Sequence, residues 1–123
     1  MKIQKSAEDY LESMLMIKER QGYVRSIDVS VELGVTKPSV SYATKRLREN
    51  GYITFDDNGH IELTESGYEI AARIYERHKV LTALLIRLGV DEKLAAEDAC
   101  KIEHDLSNET FEKIKEHVTQ LGS

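Results

Sequence analysis

Apolar residues recur every three or four positions near the start of the chain, at Tyr10, Leu11, Met14, Leu15 and Ile17. That spacing predicts an amphipathic helix over about 7–20. Ser6 stands where an N-cap is expected, and Glu8 and Asp9 fall in the first turn, where the helix dipole favours negative charge. Past Gly22, Ser26 is expected to cap a short helix over 27–33, with Gly34 ending it in a left-handed conformation. Thr36 is placed to cap the next helix. Pro38 sits in its first turn, where a missing N–H costs nothing, and the helix runs to Asn50 before Gly51. Two short helices joined by a Gly-containing turn form a helix-turn-helix. Its expected core is Ile27, Val29, Val31, Leu33, Val35, Val40, Ala43 and Leu47.

After Gly51 the period changes to two. Tyr52-Ile53-Thr54-Phe55 is rich in β-formers, Asp56-Asp57-Asn58-Gly59 is a turn whose Asn-Gly pair tolerates positive φ, and His60-Ile61-Glu62-Leu63 alternates again. A hairpin directly behind the second helix of the pair is a wing. Thr64 then caps a long helix to about Leu88, with Ile70, Ala71, Ile74, Leu81, Leu84, Leu85 and Leu88 as its apolar positions and Gly89 as its stop. Asp91 caps a helix carrying Cys100, and Ser107 caps a last one over about 108–120. The expected fold is mainly α with a small β-hairpin. A winged helix-turn-helix domain covers 1–70, and a helical domain covers 71–123.

A chain of 123 residues forms one compact domain or two small ones sharing a core. With 41% hydrophobic and 32% charged residues it reads as a soluble, charge-rich helical protein. No stretch approaches the roughly 20 apolar residues of a membrane span. The opening residues run into acids rather than an apolar segment, so no signal peptide is expected. The single Cys excludes an internal disulfide and fits a reducing cytoplasm.

A net charge of −5 argues mildly against nucleic acid. Split at Leu63, however, the first part carries 9 Lys+Arg against 10 Asp+Glu, for −1, and the rest 8 against 12, for −4. Residues 36–48 hold Lys37, Lys45, Arg46 and Arg48 with no acid, and a local basic patch is enough to meet phosphates. The expected contacts to double-stranded DNA are Arg25, Thr36, Lys37, Pro38, Ser39, Ser41, Tyr42, Lys45 and Arg46. Short polar groups at the helix start can reach base edges, while Lys45, Arg46 and Arg48 are better placed for phosphate. Tyr42 can contact DNA or pack on the wing.

A second chemistry overlays the first. Cys100-x-x-Glu103-His104, Asp9-x-x-Glu12 and His78 are all metal-binding types. Positions i, i+3 and i+4 share one side of a helix, so each group can converge on a point. Carboxylate and imidazole ligands suit Mn2+ and Fe2+, and a thiolate moves preference toward Fe2+, Co2+ or Zn2+. His60 and His117 lack such a pattern and read as surface residues. A nucleophile elbow, a phosphate loop and an oxyanion-hole motif are all missing from the sequence, so no enzyme is expected. The alternative is a metal-independent winged-helix regulator answering to an organic ligand.

The order of acidic pair, helix-turn-helix, wing, long helix with Arg77-His78, then Ala99-Cys100-x-x-Glu103-His104 and Ser107 resembles the diphtheria toxin repressor family of metal-dependent transcriptional repressors. The resemblance covers essentially the whole chain. It implies a homodimer that binds palindromic operator DNA when loaded with Mn2+ or Fe2+ and represses metal-uptake genes. Co2+ and Zn2+ would substitute in vitro, and no small organic ligand is expected. It also implies that Asp9, Glu12, His78, Glu103 and His104 stand where the manganese-regulator branch has a binuclear site. That branch has a carboxylate at the position of Cys100, whereas the iron branch has Cys there and Met at the position of Asp9. Thr82 and Ala96 occupy ligand positions of the family's ancillary site, which is not expected in its usual form. No SH3-like domain is expected, so the chain is expected to match the two-domain manganese regulators, and to pair through Leu81, Leu84, Leu85 and Leu88.

Overall fold

The computed structural model describes residues 5–122, with side chains through 120. Six helices and one hairpin follow in order: α1 (Lys5–Gln21), α2 (Ser26–Leu33), α3 (Lys37–Glu49), β1 (Ile53–Phe55), β2 (Ile61–Leu63), α4 (Glu65–Arg87), α5 (Glu92–Ile102) and α6 (Asn108–Gly122). The chain divides into two compact units that part within α4, after Arg73. Among the described residues no helix is long and apolar enough to cross a membrane.

In the first unit α1 packs on α2, α3 and β2. Leu11, Met14, Ile17, Val29, Val40, Leu47, Ile53 and Ile61 are all buried there. Ser6 lies inside α1 rather than at its cap. Ser26 is likewise the first residue of α2, not its cap. The cap position belongs to Arg25, whose backbone N–H donates to the Asp28 carboxylate at 3.0 Å. A carboxylate three residues into the helix thus does what a hydroxyl before it was expected to do. Gly34 ends α2 at φ 66°. Thr36 caps α3 as expected, its Oγ1 accepting from the Ser39 N–H at 3.2 Å.

Ile27 and Val31 are not core residues, and Val31 is 76% exposed. Val29 is fully buried between them. On a helix, neighbours two positions away point about 200° round, so a two-turn helix that buries Val29 must expose both.

The hairpin pairs Ile53 with Leu63, Thr54 with Glu62 and Phe55 with Ile61. Its loop is wider than an Asn-Gly turn. The Asp56 N–H donates to the His60 carbonyl at 2.9 Å, and Asp56 Oδ1 accepts from the N–H groups of Asn58 and His60. Gly59 alone among the loop residues takes positive φ, because the Asp56 side chain supplies the turn that Asn58 was expected to make.

Behind the wing, Thr64 caps α4 by accepting from the Gly67 N–H at 3.2 Å. The same hydroxyl donates to the Gly51 carbonyl at 2.6 Å. Gly67 is buried, and a Cβ there would run into the Tyr52 carbonyl oxygen. Backbone cannot swing aside as a flexible side chain can. Gly67→Ala should therefore destabilise the protein by about 1–3 kcal/mol, read as a lowered urea midpoint. An unshifted midpoint would show that the wing yields freely.

The second unit holds the rest of α4 with α5 and α6, and buries Ile74, Leu81, Ala95, Ala99 and Phe111. Leu81 is 1% exposed within the protomer, so it is a core residue and cannot serve in pairing. Leu88 lies past the end of α4 and is exposed, as are Ile86, Leu94 and Ile102. Asp91 caps α5, accepting from the Lys93 N–H at 3.2 Å, and Ser107 Oγ caps α6, accepting from the Thr110 N–H at 3.1 Å.

Candidate metal centre and reading helix

Glu103 is the centre of the second unit's chemistry. It is 0% exposed. Its Oε2 lies 3.0 Å from His78 Nδ1, and its Oε1 lies 3.5 Å from His104 Nε2 without any hydrogen bond. Cys100 Sγ is within 4.8 Å of a Glu103 carboxylate oxygen, although Cys100 as a residue is exposed.

The expectation that Cys100, Glu103 and His104 share one face of a helix is corrected in part. α5 stops at Ile102. Glu103 keeps helical angles and donates its N–H to the Ala99 carbonyl at 3.0 Å, so it stays on the α5 face. His104 falls in the turn beyond, and reaches the carboxylate from there.

Burying a carboxylate without a hydrogen bond on one oxygen is costly unless a positive charge compensates. Two imidazoles and a thiol surround that oxygen pair, and O, N and S donors together suit a divalent transition ion rather than Mg2+ or Ca2+. The residues fit such an ion. In the first unit Asp9 and Glu12 sit three residues apart on α1, Glu12 buried and Asp9 half-buried.

On α3 the expected DNA-contacting side chains are all exposed: Thr36, Lys37, Pro38, Ser39, Ser41, Tyr42, Lys45 and Arg46. Arg46 Nη1 donates to the Tyr42 hydroxyl at 3.0 Å, and its guanidinium stands 5.7 Å over the Tyr42 ring. That hydrogen bond is the main reason Arg46 is raised above its ordinary pKa. Arg48 stands 5.6 Å over the Phe55 ring and links α3 to the wing. Arg25 is engaged locally. Its Nε and Nη2 donate to Asp28 at 3.1 and 3.0 Å, and it stands over Tyr23, which stacks on His60 at 5.2 Å. The Arg25 side-chain bond holds the Asp28 carboxyl below the usual carboxylate range.

The family model described as the iron-dependent repressor N-terminal DNA-binding domain matches residues 2–61. The model for the metal-binding and dimerisation domain of the same repressors matches residues 64–122. This chain belongs to the iron-dependent repressor family.

The sequence of this repressor is 39% identical over 112 residues to an uncharacterised HTH-type transcriptional regulator of Methanocaldococcus jannaschii, covering 89% of this chain and 90% of the relative. It is 34% identical to the HTH-type transcriptional regulator MntR of Bacillus subtilis, over 92% of this chain and 80% of that one. A solved manganese-dependent transcriptional repressor in complex with manganese matches with a TM-score of 0.82 at 26% identity, over 92% of this chain and 52% of that one. The chain spans just over half the length of several solved structures that it matches. The family is that of the diphtheria toxin repressor, and the likeness to MntR puts this member on the manganese-regulator branch. It is a metal-dependent transcriptional repressor by family, of a kind that binds DNA and dimerises, and its relatives are regulators rather than enzymes.

Two arginines of this repressor make contacts that lie outside the expected site residues. Arg73 Nη2 donates to Glu8 on α1 at 3.2 Å. Arg77, 6% exposed, bonds to the segment joining α5 and α6. A signal was present in the sequence. Arg77 follows Ile74 by three and precedes Leu81 by four, which places a charge on the apolar stripe of α4 and so demands partners.

Proposed function

We propose that this repressor binds palindromic operator DNA as a homodimer when loaded with Mn2+ or Fe2+, and thereby controls metal-uptake genes in the cytoplasm. The observation that carries the metal reading is the dry Glu103 carboxylate, with His78 at one oxygen and His104 facing the unbonded other. The proposed ligands are Asp9, Glu12, His78, Cys100, Glu103 and His104. A divalent cation, when bound, adds positive charge among these carboxylates and favours whichever conformation gathers them.

The chain's own residues transmit that preference. α1 packs on α2, α3 and β2, and Arg73 on α4 donates to Glu8 on α1. Ordering of Asp9 and Glu12 therefore orders the element on which the reading helices rest. The proposed DNA contacts are Arg25, Thr36, Lys37, Pro38, Ser39, Ser41, Tyr42, Lys45 and Arg46. Apolar side chains left exposed in the second unit, Ile86, Leu88 and Leu94 among them, support pairing through that unit.

The test is operator binding titrated with Mn2+, Fe2+, Co2+ and Zn2+ under anaerobic reducing conditions, for wild type and Cys100→Glu. DNA binding should require metal, and the variant should move toward Mn2+ as a thiolate is exchanged for a carboxylate. Equal operator affinity with and without metal would leave a metal-independent regulator. Unchanged selectivity in the variant would remove Cys100 from the ligand set.

A further inference from the structure

We propose that Arg77 is a positioning residue for the metal ligands Glu103 and His104, shaping the segment that carries them without touching the ion. The inference rests on the reading of those two residues as ligands.

Arg77 and His78 are consecutive on α4, and between them they grip Glu103 at both ends. His78 takes the carboxylate, with Nδ1 3.0 Å from Oε2. Arg77 takes the main chain, with Nη1 donating to the Glu103 carbonyl at 3.1 Å and to the Leu106 carbonyl at 2.7 Å. Nη2 donates to Asn108 Oδ1 at 3.1 Å, at the first residue of α6. The guanidinium also stands 5.2 Å over the ring of Phe111, one turn into α6. One planar group therefore joins the end of α5, the turn after it and the beginning of α6.

The local physics explains why an arginine is needed. The last carbonyls of a helix have no partners within it, and a cation there is favoured by the helix dipole. Three bonds in fixed directions require a fork, which a lysine ammonium does not offer. These bonds end on two carbonyls and an amide rather than on a carboxylate. Arg77 thus holds the segment in shape and leaves the Glu103 charge available to a cation. Without it, His104 would have no fixed approach to the Glu103 oxygen that lacks a hydrogen bond.

The experiment compares Arg77→Lys, Arg77→Met and Asn108→Ala with wild type in the full chain. Co2+ serves as the probe, giving both a binding isotherm and a ligand-field spectrum. The thermal midpoint of the metal-free protein is measured alongside. Arg77→Met should weaken Co2+ binding by about 10–100-fold, the range typical of groups that orient ligands from outside the coordination sphere. Arg77→Lys and Asn108→Ala should fall between it and wild type, with altered spectra. A purely structural arginine would lower the metal-free midpoint and leave affinity and spectrum as in wild type, and that result overturns the proposal. Should Arg77→Met fail to fold, the two milder variants decide on the same terms. Failure of wild type to bind Co2+ at all would instead overturn the metal reading on which the proposal rests.

Discussion

Glu103→Gln is expected to leave the metal-free fold intact and to weaken divalent-metal binding by about 100-fold. That is the upper end of what even an outer ligand partner costs. The amide keeps the size of the carboxylate and can still meet His78, but it brings no negative charge. In the metal-free protein the substitution removes a buried charge whose Oε1 has no hydrogen bond, so the metal-free midpoint should hold or rise. The loss appears only with metal present. At a concentration 100 times the wild-type Kd, metal stabilises wild type by about 2.7 kcal/mol, whereas a variant bound 100-fold more weakly gains only about 0.4 kcal/mol. Thermal melts with and without Mn2+ separate these values readily, and operator binding should fall in parallel. Equal metal-induced stabilisation in both proteins would show that Glu103 is a structural carboxylate and not a ligand.

The second large effect lies on α3. Lys45→Ala combined with Arg46→Ala should weaken operator binding at every sequence tested, because both side chains are exposed and suited to phosphate rather than to base edges. Removing one cation from a phosphate lowers the slope of log affinity against log salt by about 1. A homodimer presents each side chain twice, so the double variant should flatten that slope by about 4. Tyr42→Phe is a milder companion, since it takes away the hydroxyl that accepts from Arg46 and leaves the charge in place. The measurement is fluorescence anisotropy across a salt series. A slope unchanged in the double variant would move the DNA-binding face away from this helix.

Several features were legible because their causes are local. Thr36, Thr64, Asp91 and Ser107 each cap the helix they precede, since a short side-chain acceptor ahead of a periodic run can reach the free N–H groups of its first turn. The same reasoning failed at Ser26, where Asp28 competes for the role from inside the helix. It failed at Ile27 and Val31 because eight residues suffice for one buried stripe only, and Val29 occupies it. At the wing, Asn58-Gly59 marked the turn correctly, but the Asp56 side chain decided its form.

The donor types of the proposed metal site and their order along the chain can also be read from the sequence, as can the basic run that lies exposed on α3. Where α5 ends was not. Cys100, Glu103 and His104 have the spacing of a single helical face, yet the helix stops before Glu103 while Arg77, 26 residues earlier, holds that residue's carbonyl. Leu81 shows the same limit, because an apolar period cannot distinguish a side chain buried in its own unit from one offered to a second copy.

By itself, then, the string of residues determined which segments are helix or strand, where most of them begin, and which side-chain types are available to meet cations or phosphate. All of these depend on groups within about one helical turn of each other. Only the folded chain decided that Glu103 is dry, that His78 reaches one of its oxygens while the other makes no hydrogen bond, and that Arg77 braces the segment beside it. Those outcomes depend on partners 25 to 31 positions away, and no local period carries information over that distance.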